Sequence, residues 1–182
     1  MAKILLPLAC GFEEIELVSI ADVLRRGGVE VVLASLNSSL EVNGAHNISI
    51  IADTSLQEIK PSEFDAIALH GGMKGVENML NSSLLLKIIS SFASSHKLIG
   101  AICAAPLVLD ELKLLKEDFC CYPECERMMK HTQTQRLNLP CKTSENIITG
   151  TGPAFAIPFA LEILKALSGE EKASQIQKQL LL

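Results

Sequence analysis

Tryptophan is absent and tyrosine occurs once. With aromatic residues at 4% and hydrophobic residues at 48%, the core has to be built from Leu, Ile, Val and Ala rather than from stacked rings. An aliphatic core of that kind suits a buried parallel sheet. Basic residues gather in nothing longer than a pair such as Arg25 and Arg26, and the net charge is −5, so a nucleic-acid partner is not expected. No stretch reaches the roughly 18 apolar residues of a membrane helix. The opening "MAKILLPLACGFEE" has one lysine and too short an apolar run for a secretory leader, so a soluble, cytoplasmic protein is expected. No glycine-rich loop has the spacing that cradles nucleotide phosphates, which argues against ATP and NAD as cofactors. Six cysteines without a secretory leader read as reduced thiols rather than a disulfide framework.

What the chain does have is alternation. At 182 residues it fits one domain spanning 1–182, and short apolar runs alternate with amphipathic ones, punctuated by Gly, Asn, Ser and Pro. "KILLPL" (3–8) reads as a buried strand. "EEIELVSIADVLRR" (13–26) reads as a helix with Ile15, Val18, Ile20, Val23 and Leu24 near one face, stopped by Gly27 and Gly28. Strand "VEVVLASL" (29–36), a hairpin or arm over 41–53, strand and glycine turn "FDAIALHGG" (64–72), a helix over about 81–95 and "KLIGAIC" follow. Residues 116–152 are polar, cysteine-bearing and weakly periodic, and read as loops and short strands; helices over about 153–167 and 169–180 close the chain. Strands separated by such helices predict right-handed parallel βαβ units and a three-layer α/β/α sandwich. In that architecture the ligand crevice lies at the carboxyl ends of the strands, where "ACGFEE", "HGGMKG" and "CAAP" should emerge.

Cys103 sits where an apolar strand turns directly into an apolar helix, flanked by Gly100, Ala101, Ala104 and Ala105. Small neighbours and a tight strand-to-helix bend are the makings of a nucleophile elbow, here with a thiol. The N–H groups and dipole of the helix after Ala105 would favour the thiolate, and the Ala104 N–H with one from the Gly71 and Gly72 turn could bind an oxyanion. The alternative is that Cys103 is one more small buried hydrophobe. "GFEEIE" puts Glu13, Glu14 and Glu16 at a helix start at the same end of the sheet. Glu16, between Ile15 and Leu17, would face inward and be kept protonated by burial; the alternative is a solvated helix face.

"GFEEIE", "RRGG", "LHGGMKG", "AICAAP" and "GTGPAFAIPFAL", in that order, resemble the ThiJ/PfpI superfamily, specifically its DJ-one branch, over about residues 3–180. The resemblance implies a flavodoxin-like sandwich with a mainly parallel sheet. It implies a homodimer joined through the helix after "GFEE" and the 41–53 arm, and a site without cofactor or metal. Cys103 would be the nucleophile, Glu16 its protonated partner, and Gly72 and Ala104 the backbone donors. It also implies a small aldehyde or glycated substrate, with glyoxalase-type conversion of methylglyoxal to lactate or deglycation as the activity. The other family activities are peroxide sensing through a cysteine sulfinic acid and chaperoning.

The chain departs from that pattern at several positions. Many relatives carry a histidine before a proline beyond the elbow helix; here Tyr122 stands there, and a phenol with a pKa near 10 cannot replace imidazole as a base at neutral pH. His70 stands where relatives usually have proline, and either approaches the pocket beside Gly71 or serves packing and hydrogen bonding. Ala104 replaces the histidine of the peptidase-like branch, which argues against peptidase activity. Arg26 and His46 match positions that lie near the pocket in relatives, but read more simply as a helix-end cation and a solvated arm residue. Cys120, Cys121, Cys125, His131 and Cys141 lie close in sequence, yet C-x3-C without a second matched pair is a weak zinc signal. Cys121, beside Tyr122, could resolve an oxidised Cys103 as a disulfide, as could Cys10. Two functions therefore stand side by side, an aldehyde-converting enzyme and an oxidation sensor or chaperone.

Overall fold

A computed structural model describes residues 1–182. In chain order the elements are β1 (Lys3–Leu8), α1 (Glu14–Arg26), β2 (Glu30–Ser35), β3 (Glu41–Asn43), β4 (Ser49–Ile51), β5 (Thr54–Ser55), β6 (Ala66–Leu69), α2 (Met73–Leu80), α3 (Ser83–Ser94) and β7 (Leu98–Ile102). They continue with α4 (Pro106–Glu111), β8 (Cys141–Ser144), β9 (Ile147–Gly150), α5 (Ala156–Ser168) and α6 (Glu170–Gln179). Seven strands form one sheet in the order β5-β2-β1-β6-β7-β9-β8, while β3 and β4 form a separate antiparallel arm. Every pairing in the sheet is parallel except β8 with β9.

Side chains along a strand alternate between faces, and β1 divides accordingly. Ile4, Leu6 and Leu8 pack with Leu17, Ile20 and Leu24 of α1, Phe159 and Ile163 of α5 and Ile176 of α6. Leu5 packs on the other face with Val76 of α2, Ile89 and Phe92 of α3 and Val108 of α4. Two apolar cores on either side of one sheet make a flavodoxin-like α/β/α sandwich.

Several expectations need correcting. Helix α1 spans nearly the range read from the sequence but buries a different face: Ile15 is 58% and Val18 49% exposed, whereas Glu14 and Glu16 are buried with Leu17, Ile20, Ala21, Val23 and Leu24. At 100° per residue the stripe through 16, 20, 23 and 24 leaves 15 and 18 outside. Helix α2, missed because its eight residues directly follow the glycine turn, precedes α3 with Asn81 and Ser82 between them. The Ser82 hydroxyl caps α3 by accepting the Leu85 N–H. Helix α4 is only six residues long and opens on Pro106.

Candidate active site

The carboxyl ends of β1, β6 and β7 bring the three loops together. Cys103 follows β7 with φ +64°, a conformation that a side-chain-bearing residue holds only when its surroundings impose it. Its N–H donates to the O of Gly150, the last residue of β9, at 2.9 Å, and its carbonyl accepts the Tyr122 N–H at 2.8 Å. The side chain is 8% exposed. A strained bend held from two sides, with the sulfur at the sheet edge, is the geometry of a nucleophile elbow.

Glu16 enters from the first turn of α1 and is fully buried. Its Oε2 accepts the Gly71 N–H at 2.6 Å, while Oε1 has no hydrogen-bond partner. Gly71 is wedged between the two side chains, since a Cβ there would lie 2.7 Å from Glu16 Oε2 and 2.9 Å from Cys103 Sγ. Gly72 adopts φ +83°, and a Cβ on it would lie 2.4 Å from Gly11 O. Only glycine satisfies both demands.

Burial pushes the Glu16 carboxyl from its ordinary 4.5 up to about 7, although the Gly71 N–H and the Cys103 thiol both favour its charged form. Burial also pushes the Cys103 thiol up, and the Glu16 carboxylate raises it further, while the N–H groups of Ala104 and Gly72 oppose the rise. The expectation that the helix after the elbow would lower this thiol fails: α4 is short, Pro106 supplies no N–H, and desolvation outweighs the backbone donors. The two groups titrate as a pair. The carboxyl is the more acidic of the two, so the first proton lost is that of Glu16, and the thiol keeps its own beside a carboxylate able to accept it.

His70 lies beneath the glycine turn rather than at the pocket mouth. It is 1% exposed and packs edge-on against Phe12 with ring centroids 5.8 Å apart. Burial lowers its pKa from 6.5 to about 4, so it is a weak base, and its ring nitrogens face backbone groups rather than the sulfur; it does not replace the missing imidazole base. Tyr122 is half exposed, its N–H on the Cys103 carbonyl and its ring against Gly152. Arg26 pairs with Asp22 at 2.7 Å in solvent. His46, on the arm, donates its backbone N–H to Glu14 Oε1 at 2.6 Å and brings Nδ1 within 2.8 Å of Glu14 Oε2.

Cys121 precedes Tyr122, whose N–H donates to the Cys103 carbonyl, but its thiol turns away from that of Cys103. Its thiol donates to Tyr122 O at 3.3 Å and lies 3.8 Å from Glu126 Oε2, and it belongs to the core on the opposite face of the sheet. Cys10 is exposed. Cys120, Cys121, Cys125, His131 and Cys141 do not converge; the group whose ligand atoms do lie within 4.8 Å of one another is Glu13, Glu14 and His46. Asp110 went unnoticed in the sequence. This buried carboxylate on α4 accepts the N–H groups of Lys130 at 2.7 Å, His131 at 3.2 Å and Thr132 at 2.7 Å, tying the elbow helix to the following loop. The available signal was the acid pair Asp110 and Glu111 inside the mostly apolar run "LVLDELKLL".

The family model described as DJ-1/PfpI family matches residues 2–166. Protein DJ-1 homolog B of Arabidopsis thaliana is 37% identical over 183 residues, covering 99% of this chain; the chain spans 41% of that longer protein. Glutathione-independent glyoxalase DJR-1.2 of Caenorhabditis elegans is 34% identical over 170 residues, covering 93% of this chain and 90% of that one. Among solved structures, oxidized Toxoplasma gondii DJ-1 superposes with a TM-score of 0.92 at 36% identity, covering 100% of this chain and 98% of that one.

Proposed function

The chain belongs to the DJ-1/PfpI family, and from that premise we propose that it converts methylglyoxal-like reactive aldehydes, without a cofactor, through Cys103 and Glu16. The observation that carries this reading is the buried pair itself, with the Ala104 and Gly72 N–H groups addressing the sulfur. The name of the C. elegans relative, a glutathione-independent glyoxalase, supports the reaction type.

The sulfur, having passed its proton to Glu16, adds to the aldehyde carbon, and the oxygen that turns negative is held by the Ala104 and Gly72 N–H groups and protonated by Glu16, giving a hemithioacetal and restoring the carboxylate. The Glu16 carboxylate then removes the proton from the former aldehyde carbon and returns it to the adjacent carbon through an enediol, leaving a lactoyl thioester. Water hydrolyses the thioester, releasing lactate and the thiol; the sum is methylglyoxal plus water giving lactate. Glycated adducts that present the same carbonyl are the related substrates. Two copies would pair through Ile15 and Val18 of α1 and Ile48 and Ile51 of the arm, apolar side chains that are 49% to 74% exposed. No helix is long and apolar enough to cross a membrane, and six free thiols suit a reducing, cytoplasmic setting.

The test is lactate formation followed by proton NMR. Turnover lost in both Cys103→Ser and Glu16→Gln supports the enzyme. The second reading is an oxidation sensor, favoured by the donors already at the sulfur, which suit sulfinate oxygens, and by Tyr122 in place of an imidazole base. Stoichiometric sulfinate formed with peroxide, without lactate from wild-type protein, selects it.

A further inference from the structure

His70 is a buried titratable group that the reaction above leaves without a task. Its Nδ1 lies 2.7 Å from Gly71 O, and its Nε2 lies 3.4 Å from the Ala9 backbone nitrogen. The Pro7 carbonyl also lies near the ring, but the short contact is that of Nδ1 with Gly71 O; a carbonyl only accepts, so Nδ1 carries the proton and Nε2 offers its lone pair to the Ala9 N–H. The ring is thus held as the neutral Nδ1–H tautomer, and Phe12 packs against it. Gly71 O accepts a second hydrogen bond, from the Glu13 N–H at 3.1 Å.

The carbonyl of Gly71 and the N–H of Gly72 belong to the same planar trans peptide and point in opposite directions. The carbonyl faces His70 and Glu13, while the N–H addresses the Cys103 sulfur. Hydrogen bonds accepted at one end of a peptide polarise it and strengthen the donor at the other end, by roughly 10–30% per bond. We propose that His70 is a positioning residue that acts through the Gly71 carbonyl to aim and strengthen the Gly72 N–H against negative charge at the Cys103 site. The inference rests on Cys103 and Glu16 being the reacting pair. His70 touches neither the sulfur nor the substrate.

The first measurement is the imidazole nitrogen NMR signature of His70 in the wild-type protein. The Nδ1–H tautomer between pH 6 and 8 is expected, and the Nε2–H tautomer overturns the proposal whatever any variant does. The second compares His70→Leu with His70→Asn, whose side-chain N–H reaches the place of Nδ1. In His70→Leu the Gly72 amide proton should move upfield, and the rate of Cys103 alkylation by iodoacetamide at pH 7 should fall on the order of threefold to tenfold. Both should recover in His70→Asn. If His70→Asn behaves like His70→Leu, or neither differs from wild type, the proposal is overturned. None of these readouts needs an aldehyde, so failure of the glyoxalase reading shows separately as absent lactate. Where lactate is formed, His70→Leu should lower kcat with KM unmoved.

Discussion

Two buried groups pull the stability of this protein in opposite directions over nearly the same pH range. Glu16 is raised from 4.5 to about 7, so the stability it contributes is fully present below pH 4.5 and is lost as pH rises towards 7. His70 is lowered from 6.5 to about 4, so its contribution is present above pH 6.5 and is lost as pH falls towards 4. Each displacement corresponds to about 3 kcal/mol, so between roughly pH 4.5 and 6.5 the two nearly cancel in the wild type. Glu16→Gln removes one arm of the balance. Its unfolding free energy, measured by urea denaturation at fixed protein concentration, should gain about 3 kcal/mol on the wild type between pH 4.5 and 7. Within the variant, stability should rise with pH through the window that His70 alone then controls. Parallel curves for variant and wild type across that range would refute the reasoning, because Glu16 would then ionise as it does in the unfolded chain.

Alkylation of Cys103 by iodoacetamide, followed peptide by peptide with exposed Cys10 as a reference thiol, should rise through a midpoint near 7, where the pair gives up its first proton. Glu16→Gln should move that midpoint above the ~8.5 of a free thiol; identical midpoints would show that the carboxyl does not control the sulfur. Asp110→Ala strands three backbone donors and should cost about 3 kcal/mol in urea denaturation; a loss below ~0.5 kcal/mol would show that those N–H groups find other partners. Peroxide treatment and peptide mapping should yield no Cys103–Cys121 disulfide, since the two sulfurs belong to cores on opposite faces of the sheet; recovery of that linkage would contradict the packing.

The strand-to-helix junction at Cys103 was legible in the sequence because small residues on both sides of a cysteine leave few other conformations. Glu16 was legible through its place between Ile15 and Leu17, although the periodicity gave the rest of the helix the wrong buried face. Charge caused that error: an apolar count assigns Ile15 and Val18 inward and cannot foresee that Glu14 is buried by the arm's His46. The direction of the Cys103 shift was not legible at all. Local sequence displays the helix that follows, but desolvation is set by β6, α1 and the glycine turn, all distant in the chain. Asp110 escaped, and His70 was left between a pocket role and packing, for a related reason, since their partners are backbone groups and leave no trace in side-chain identity.

The hydrogen bonds that pin Cys103 from Gly150 and Tyr122 also decide where this chain can be cut. A nick or insertion at the exposed Asn37–Ser39 bend or at the Glu145 hairpin tip leaves both pins in place, and such sites suit new termini or fused tags. A break between Phe119 and Tyr122 would release the carbonyl of Cys103 and let the bend relax towards ordinary φ. The thiol would then be silenced by a change in a segment that takes no part in its chemistry.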